Sequence, residues 1–312
     1  MIALKVVPPV AVPVGPTAVP VPHEPAPNVP ATWGTDGKLI ATPSWGDNGV
    51  ALTFASGAAT AGGASTLTNS SKTWTVNQWA NSQIRITVGT GIGQIRSIVS
   101  NTATVITTSA PWTTAPDATS QYVIEGNDNF IYAMGNAAVA LYRYDITANT
   151  WSTLTPTAAR AAAPSVGMSG HWIYGVTDDA RWTNENDIIN GRRIYSFRGG
   201  GSAALDYYDI GLNTWVSTIS YAPGIETFTT GTKYVYAGNY LYIQKEATGR
   251  WFRYSFAEQG MVGWSTNINF TGAAIAGDTA FDLVYEIQPG SFVRFVYMVL
   301  NSSTIHMRCM VI

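Results

Sequence analysis

Hydrophobic and polar residues alternate in short segments through the middle of the chain. Residues 83–88, 94–99 and 102–107 each follow a two-residue period and are rich in β-branched side chains, which is typical of half-buried strands. The glycines within residues 89–93 suit a hairpin loop between the first two segments. This pattern predicts a small β module over residues 59–124.

Three tryptophans flank these segments. Trp74 and Trp79 precede them and Trp112 follows them. Large rings at strand ends are predicted to close the core of the module. A stacking platform for a ligand is the alternative interpretation of the same residues.

An eight-residue repeat follows the module. Residues 144–151 (YDITANTW) recur as residues 208–215 (YDIGLNTW), identical at six of eight positions, and a weaker third copy covers residues 242–251. The final tryptophans of successive copies are 64 and 36 residues apart, which brackets the period of about 40–50 residues in propeller blades. Each copy predicts a strand ending at Tyr-Asp, a polar hairpin turn, and a second strand beginning at Trp.

The end of the chain has the pattern of one more hairpin. Residues 292–300 and 305–312 are apolar and are separated by the polar sequence Asn-Ser-Ser-Thr. We expect a strand from near the N-terminal end to complete the last sheet of the repeat region.

The first 30 residues differ from the rest in composition. They hold nine of the sixteen prolines and only two formal charges, a composition that favours polyproline II, which extends about 3 Å per residue. A preformed extended segment can bind a partner surface at low ordering cost, whereas a disordered leader is the alternative. Because prolines interrupt its apolar run, we expect neither a signal peptide nor a membrane span here. The residues expected to contact the partner are Val6, Val7, Pro8, Pro9, Val10, Val12, Pro13, Val14, Val19 and Pro20.

Composition and charge limit the fold classes and the classes of partner that the sequence allows. Charged residues make up 12% of the chain, against roughly 25% in an ordinary soluble domain, while the chain has 11 Trp, 16 Tyr and 30 Gly. These values favour an all-β protein and exclude a helical bundle. A net charge of −2 without a basic run predicts no nucleic-acid partner and no membrane partner.

The residues available for catalysis or metal binding are few. With one cysteine and three histidines, neither an internal disulfide nor a structural zinc site is expected. His171, His306 and Cys309 are interpreted as packed or edge residues of strands, and no phosphate-binding glycine pattern opens a helix. We therefore predict no catalytic residues, no metal and no cofactor.

One acidic loop is the candidate for glycan binding. Residues 177–187 combine acids with an arginine and a tryptophan whose ring could stack on a sugar. The alternative is a solvated loop whose acids pair with neighbouring arginines. A calcium ion is plausible only in this loop, although its spacing matches no EF-hand. The candidate glycan-binding residues are Asp178, Asp179, Trp182 and Glu185.

Two resemblances bear on fold and context. The run of residues 67–124, through Lys72-Thr73-Trp74-Thr75, Gln78-Trp79, Gly93-Gln94 and Asn101-Thr102-Ala103-Thr104, resembles a β module that recurs in structural proteins of tailed bacteriophages. An apolar strand, paired glycines, Tyr and then Trp, as in residues 194–215, resembles the kelch repeat. The two resemblances imply an all-β protein with a kelch-like β-propeller over residues 125–312. The preceding residues would then be an extended Pro-rich arm (1–30), a linker or first propeller strands (31–58), and the small β module (59–124).

The functional expectation follows from these resemblances. They imply a non-enzymatic structural protein of a tailed-phage virion, present in several copies or as a homo-oligomer. Its N-terminal arm would anchor it to head, neck or tail proteins. A receptor- or glycan-binding appendage of the virion is the alternative, and a sialidase-like or depolymerase enzyme is a third possibility.

Overall fold

The computed structural model describes residues 36–44, 52–174, 191–219, 227–237, 240–245, 251–256 and 260–262, and the strands within 282–311. These residues form strands, turns and loops, and they contain no helix. The all-β prediction is confirmed. In chain order the strands are β1 (Lys38–Ala41), β2 (Thr53–Ala58), β3 (Ala61–Gly63), β4 (Thr66–Thr68), β5 (Gln83–Val88), β6 (Ile95–Asn101), β7 (Val105–Thr108), β8 (Gln121–Glu125), β9 (Phe130–Met134), β10 (Leu141–Asp145), β11 (Thr150–Leu154), β12 (His171–Ile173), β13 (Arg193–Gly199), β14 (Ser202–Asp209), β15 (Thr214–Ile219), β16 (Lys233–Ala237), β17 (Tyr240–Gln244), β18 (Trp251–Ser255), β19 (Gly260–Val262), β20 (Asp282–Ile287), β21 (Arg294–Val299) and β22 (His306–Val311).

The module is a small barrel. Its seven strands have the order β2-β8-β5-β6-β7-β4-β3, so the two edge strands are consecutive in the chain. Only residues 59 and 60 separate these two edge strands in the chain. The amide of Ala59 donates to Ser120 O at 2.8 Å, next to the β2–β8 pair, and that of Thr60 donates to Thr68 O at 2.7 Å, next to the β3–β4 pair. The sheet therefore curls until both edges meet at residues 59 and 60. The three alternating segments are the strands β5, β6 and β7, as predicted, whereas β2 extends the sheet to residues that the sequence left to the linker.

The tryptophans close the interior of this barrel. Trp74, Trp79 and Trp112 are 3%, 0% and 6% exposed. Their rings pack with the inward-facing isoleucines of the strands in one core cluster. The core interpretation is confirmed, and the stacking-platform alternative is wrong, because no ligand can reach rings buried to this degree.

The rest of the described chain forms antiparallel sheets, and their strands are consecutive except where β1 pairs with β9. Their orders are β1-β9-β10-β11, β12-β13-β14-β15, β16-β17-β18-β19 and β20-β21-β22. The first strands of these sheets are neighbours, because β1 contacts β12, β12 contacts β16, and β16 contacts β20. Within the described residues these sheets do not form a closed ring.

The terminal hairpin is confirmed, but its expected partner strand is not seen. Strand β21 pairs with β22 in continuous register. The N-terminal strand β1 pairs with β9 in the first sheet, and none of the described N-terminal residues pairs with the sheet of β20–β22. Lys38–Ala41 thus completes the first sheet instead of the last.

Two copies of the repeat form the same hairpin, whereas the third does not. Tyr144 pairs with Trp151 and Tyr208 with Trp215. In the third copy Trp251 pairs with Gln244, which is two residues beyond the tyrosine that aligns in sequence. The third copy therefore also spans two paired neighbouring strands of its sheet, β17 and β18, but their register differs. Six residues separate the last paired residues, against four in the first copy.

The barrel packs directly on the first two of these sheets. One core cluster includes residues of both parts, and the Phe54 and Trp172 rings meet edge to face with centroids 5.8 Å apart. At the rim of this contact Asn81 Nδ2 donates to Ile210 O at 3.2 Å. A second aromatic cluster fills the space between the sheets of β13 and β17.

Candidate functional site

The site residues predicted from the sequence lie outside the described part of the chain. This holds for the arm residues Val6, Val7, Pro8, Pro9, Val10, Val12, Pro13, Val14, Val19 and Pro20, and for the glycan candidates Asp178, Asp179, Trp182 and Glu185. The structure therefore neither brings these residues together nor separates them. Of the three candidate reactive side chains, only His171 has a described environment.

His171 lies where the inner strands meet. It begins β12, and its ring centroid is 6.2 Å from that of Tyr234 on β16. Burial, reinforced by the positive charge of Lys38, lowers the pKa of His171 to about 3. The imidazole is therefore neutral at physiological pH and packs between strands.

Most buried charges in the described residues are engaged in fixed ion pairs. Arg160 Nε donates to Asp206 Oδ2 at 2.7 Å, and Arg198 binds the same carboxylate through two bonds of 2.9 and 2.8 Å. The guanidinium of Arg160 also lies 4.8 Å from the centroid of the Trp215 ring. Since Arg160 belongs to the connection between the first two sheets, this cluster holds that connection against the second sheet.

A polar cleft of about 600 Å³ lies between parts of the barrel and the first sheet, which are in contact elsewhere. The barrel supplies residues from β5 and β6, the connection between barrel and sheet supplies residues 127–129, and the turn of the β10–β11 hairpin supplies residues 145–148. The lining residues are Gln83, Ile95, Arg96, Ser97, Ser109, Asn127, Asp128, Asn129, Asp145, Ile146, Thr147 and Ala148.

Hydrogen bonds hold the polar wall of this cleft in place. Asn127 Nδ2 donates to Ser97 Oγ at 3.2 Å. Asn129 Nδ2 donates to Asp145 Oδ1 at 2.9 Å, while its Oδ1 accepts the amide and the hydroxyl of Thr147 at 2.8 and 2.7 Å. The three contributing segments are thus joined to one another, and the cleft is organised before any ligand arrives.

The two acids of the cleft are bound by neutral donors. Asp128 accepts the amide and the hydroxyl of Ser44 at 2.7 and 2.6 Å, and Asp145 accepts from Asn129 and from the amide of Ala148. Neither carboxylate contacts a basic side chain of the described residues, in contrast to Glu125, which binds Arg85 at 2.8 Å. The cleft therefore carries unneutralised negative charge.

Arg96 also lines the cleft and offsets one of these two negative charges, so the charge of the lining remains net negative. Arg96 directs Nε to Pro111 O, Nη1 to Ile95 O and Nη2 to Thr113 Oγ1, at 2.9, 2.8 and 3.2 Å. Its guanidinium also lies 5.7 Å from the Trp112 ring centroid. The donors of Arg96 are thus directed to the barrel.

Sequence reasoning did not find this cleft. Its residues come from five separate stretches of chain, and polar residues of these types are common in loops. The run Asn127-Asp128-Asn129 lies between two strands, where Asn and Asp are ordinary turn residues, so it gives no specific signal of a cleft. Only the packing of the barrel on the first sheet brings this run opposite β6.

Two kinds of feature are absent from the described residues. Among them, no group of three or more His, Cys, Asp and Glu side chains is placed to hold a metal ion. The same residues include no helix that is long and apolar enough to cross a membrane.

The described residues thus define an all-β protein in which a small barrel packs on a series of antiparallel sheets. No protein-family model matches the chain, and no curated protein matches it. Among solved structures, the chain is similar to a chain of Kuenenia stuttgartiensis hydrazine synthase, with 10% identity and a TM-score of 0.30. The similarity covers 59% of this chain and 47% of that chain, so this chain spans about half the length of the structure that it matches. Similarity at this level carries no inference about function.

Proposed function

We propose that the successive sheets are blades of a kelch-like β-propeller. Three sheets have four antiparallel strands, and two of them are meanders of consecutive strands. The first strand of each sheet contacts the first strand of the next, as inner strands do around a propeller axis. We expect an experimental structure of the full chain to place the sheet of β20–β22 beside that of β1. Sheets that continue as an open row would contradict the propeller.

We propose further that the protein is a non-enzymatic structural component of a tailed-phage virion, anchored to head, neck or tail proteins by its N-terminal arm. The observation that carries this proposal is the role of the residues on which the phage-module resemblance rests. They hold the barrel together, so the resemblance concerns a complete structural unit rather than scattered surface residues.

Asn101 is the clearest example of such a residue. Its Oδ1 accepts the amide of Trp79 at 2.8 Å, and its Nδ2 donates to Thr75 O and Thr102 O at 2.9 and 2.8 Å. Gln94 has a similar role, because it binds Gly91 O and Thr114 O through Nε2. These side chains satisfy the backbone groups of the loops that close the barrel.

Several apolar side chains on the outside of the barrel also support a role in assembly. Ile92, Val99, Val88 and Ile95 are 66%, 57%, 47% and 46% exposed. Together with the low content of charged residues, they give a surface suited to contacts with other proteins, which salt screens little.

Mass spectrometry of gradient-purified particles tests the virion assignment. We expect the protein at a fixed number of copies per particle, together with the major head and tail proteins. Particles that consistently lack it would refute the structural role.

Deletion of residues 1–30 tests the arm separately. We expect the shortened protein to fold, with an unchanged melting temperature, but to be missing from the particles. A variant with residues 1–30 in scrambled order is the matched control, because it keeps the length and composition and loses the sequence of the arm. Normal incorporation of the deletion variant would refute the anchoring role and leave the virion assignment standing.

A receptor- or glycan-binding appendage remains the second proposal. It rests on the acids and the tryptophan of the 177–187 loop. A glycan array probed with the full chain and with Trp182→Ala tests it, and we expect a bound glycan whose signal is lost in the variant. A signal that the variant retains would exclude this loop.

A further inference from the structure

The cleft between the barrel and the first sheet is a built polar site with no assigned ligand. Its volume of about 600 Å³ lies within the range of about 300–1,000 Å³ that is usual for small-molecule sites. Its walls belong to strands or to turns that are hydrogen-bonded to one another. A ligand would therefore meet groups that are already positioned, which lowers the ordering cost of binding.

The polar groups of the cleft select for a ligand that donates hydrogen bonds. Asp145 Oδ2 has no hydrogen-bond partner among the described residues, and a carboxylate can only accept. Asp128 adds a second carboxylate, and Arg96, whose Nε, Nη1 and Nη2 each donate to a neutral oxygen of the barrel, adds one positive charge, so the lining is net negative. The unneutralised negative charge opposes phosphates, nucleotides and acidic sugars.

The apolar groups of the cleft favour a ligand with a flat, weakly polar face. Ile95 and Ile146 lie on opposite sides of the cleft, one on β6 and the other in the hairpin turn, and are 46% and 40% exposed. Side chains of this kind can cover the C–H face of a pyranose ring, while the hydroxyls at its edge reach the carboxylates and the serine hydroxyls.

We propose that this cleft binds a neutral saccharide. Uncharged hydroxyls supply the donors that the carboxylates need, and the ring face fits the two isoleucines. None of the residues that line the cleft belongs to the 177–187 loop. The proposal does not depend on the structural role in the virion, so either proposal can fail while the other holds.

The test is binding of a panel of immobilised oligosaccharides to the full-length chain, followed by calorimetry with the best neutral member. We expect neutral hexose and N-acetylhexosamine oligosaccharides to bind, and their sialylated counterparts to bind at least 10-fold more weakly. Because the ligand is uncharged, the affinity should change less than 2-fold between about 0.05 and 0.5 M NaCl.

Two variants locate the site. Ala148→Trp places a large ring in the cleft from an exposed turn position, and we expect it to abolish binding. Val139→Trp is the matched control, because Val139 is 46% exposed and does not line the cleft. Asp145→Asn retains the turn acceptor and removes the charge, and we expect it to weaken binding by about 10-fold.

Three results would overturn the proposal. A panel without any binder refutes it, and so does binding that persists in both Ala148→Trp and Asp145→Asn. A lysine-rich peptide that binds in a salt-sensitive manner, without any saccharide binding, would assign the cleft to a basic segment of a partner protein instead. If Ala148→Trp fails to fold, saccharide binding by Asp145→Asn still tests the proposal.

Discussion

The two hairpins of the repeat, residues 144–151 and 208–215, have the same turn in different surroundings. Asn149 and Asn213 have positive φ angles of 52° and 48°, which asparagine tolerates better than most residues. Each accepts a hydrogen bond from the tyrosine hydroxyl five residues earlier. In each turn the aspartate also accepts a backbone amide three residues later. The shared residues therefore encode the turn itself.

The two hairpins differ at the residue just before the strand that precedes them, which is Asn129 before β9 and Arg192 before β13. Asn129 and Arg192 are equivalent, because each accepts the amide of the isoleucine in its turn through its carbonyl. Asn129 binds its aspartate as a neutral amide, whereas Arg192 forms an ion pair of 3.3 Å with Asp209. Hence the first turn contributes a free negative charge to a cleft, and the second turn is neutralised.

Contact with the barrel differs in the same way. Ile146 is 40% exposed and lines the cleft, whereas Ile210 is 4% exposed and its carbonyl accepts a hydrogen bond from Asn81. A Cβ at Gly211 would lie 2.4 Å from Gln78 O, while the equivalent residue of the first copy is threonine. The comparison shows that one turn can serve as a docking point or as a cleft wall, depending on the positions that vary.

The largest expected difference between the copies follows from their aspartates. Asp209→Asn removes the carboxylate from the buried guanidinium of Arg192, and we expect a loss of about 3 kcal/mol in the free energy of unfolding. Asp145→Asn removes a charge without a basic neighbour and should cost below about 1 kcal/mol. Urea denaturation of both variants measures the difference, and equal losses would mean that the ion pair does not distinguish the hairpins.

The next largest effect is expected at the docking contact. Gly211→Thr introduces the residue of the first copy, and its Cβ would overlap Gln78 O and Asn77 O, at 2.4 and 2.5 Å. We expect a loss of about 2–3 kcal/mol, because backbone atoms must move to admit the side chain. Gly211→Ala serves as the control for size. An unchanged midpoint of denaturation would show that the barrel does not rest on this turn.

The turn asparagines should differ less. Asn213→Ala removes the acceptor of Tyr208 and the bond of 3.0 Å from Nδ2 to Thr155 O, and it places alanine at positive φ. We expect a loss of about 2 kcal/mol, against about 1 kcal/mol for Asn149→Ala. Asn213→Gly loses the same side-chain hydrogen bonds as Asn213→Ala but tolerates the positive φ, so the difference between these two variants in thermal denaturation isolates the backbone strain. A larger effect at Asn149 would reverse the comparison.

The smallest effect is expected from the reciprocal exchange in the first copy. Thr147→Gly removes the hydroxyl bond to Asn129 and keeps the amide bond. We expect a loss of about 1 kcal/mol or less, since the position is exposed. Thr147→Ser is the control that keeps the hydroxyl. A loss as large as that of Gly211→Thr would indicate that the first turn also carries a tertiary contact.

Sequence patterns predicted local structure where a single segment carried the signal. The alternation in residues 83–107 predicted three strands, because a two-residue period fits a strand with one buried face. The tryptophans at 74, 79 and 112 predicted a core, because large apolar rings are stabilised by burial. The prediction for the third repeat copy was wrong in register, because Trp251 pairs with Gln244 and not with Tyr242. Similarity of letters at fixed spacing does not determine strand register when loop length varies.

The cleft could not be predicted in the same way. Asn127, Asp145 and Ser97 are common polar residues in their own segments. The differences between the two hairpins, such as Thr147 against Gly211, do not by themselves show which turn borders a cleft. Whether Asp145 faces a cleft or a basic partner depends on Asn129, the residue before β9, and on the position of the barrel.

The amino-acid sequence by itself determined the all-β class, three of the seven strands of the barrel, its tryptophan core and the two repeat hairpins, because each depends on short-range periodicity, turn chemistry and burial of large rings. Tertiary structure alone decided that Lys38–Ala41 completes the first sheet, that the barrel rests on the second hairpin, and that the first hairpin borders a negatively charged cleft. These outcomes depend on contacts between segments distant in the chain, and such contacts are selected by the packing of whole surfaces rather than by any local pattern.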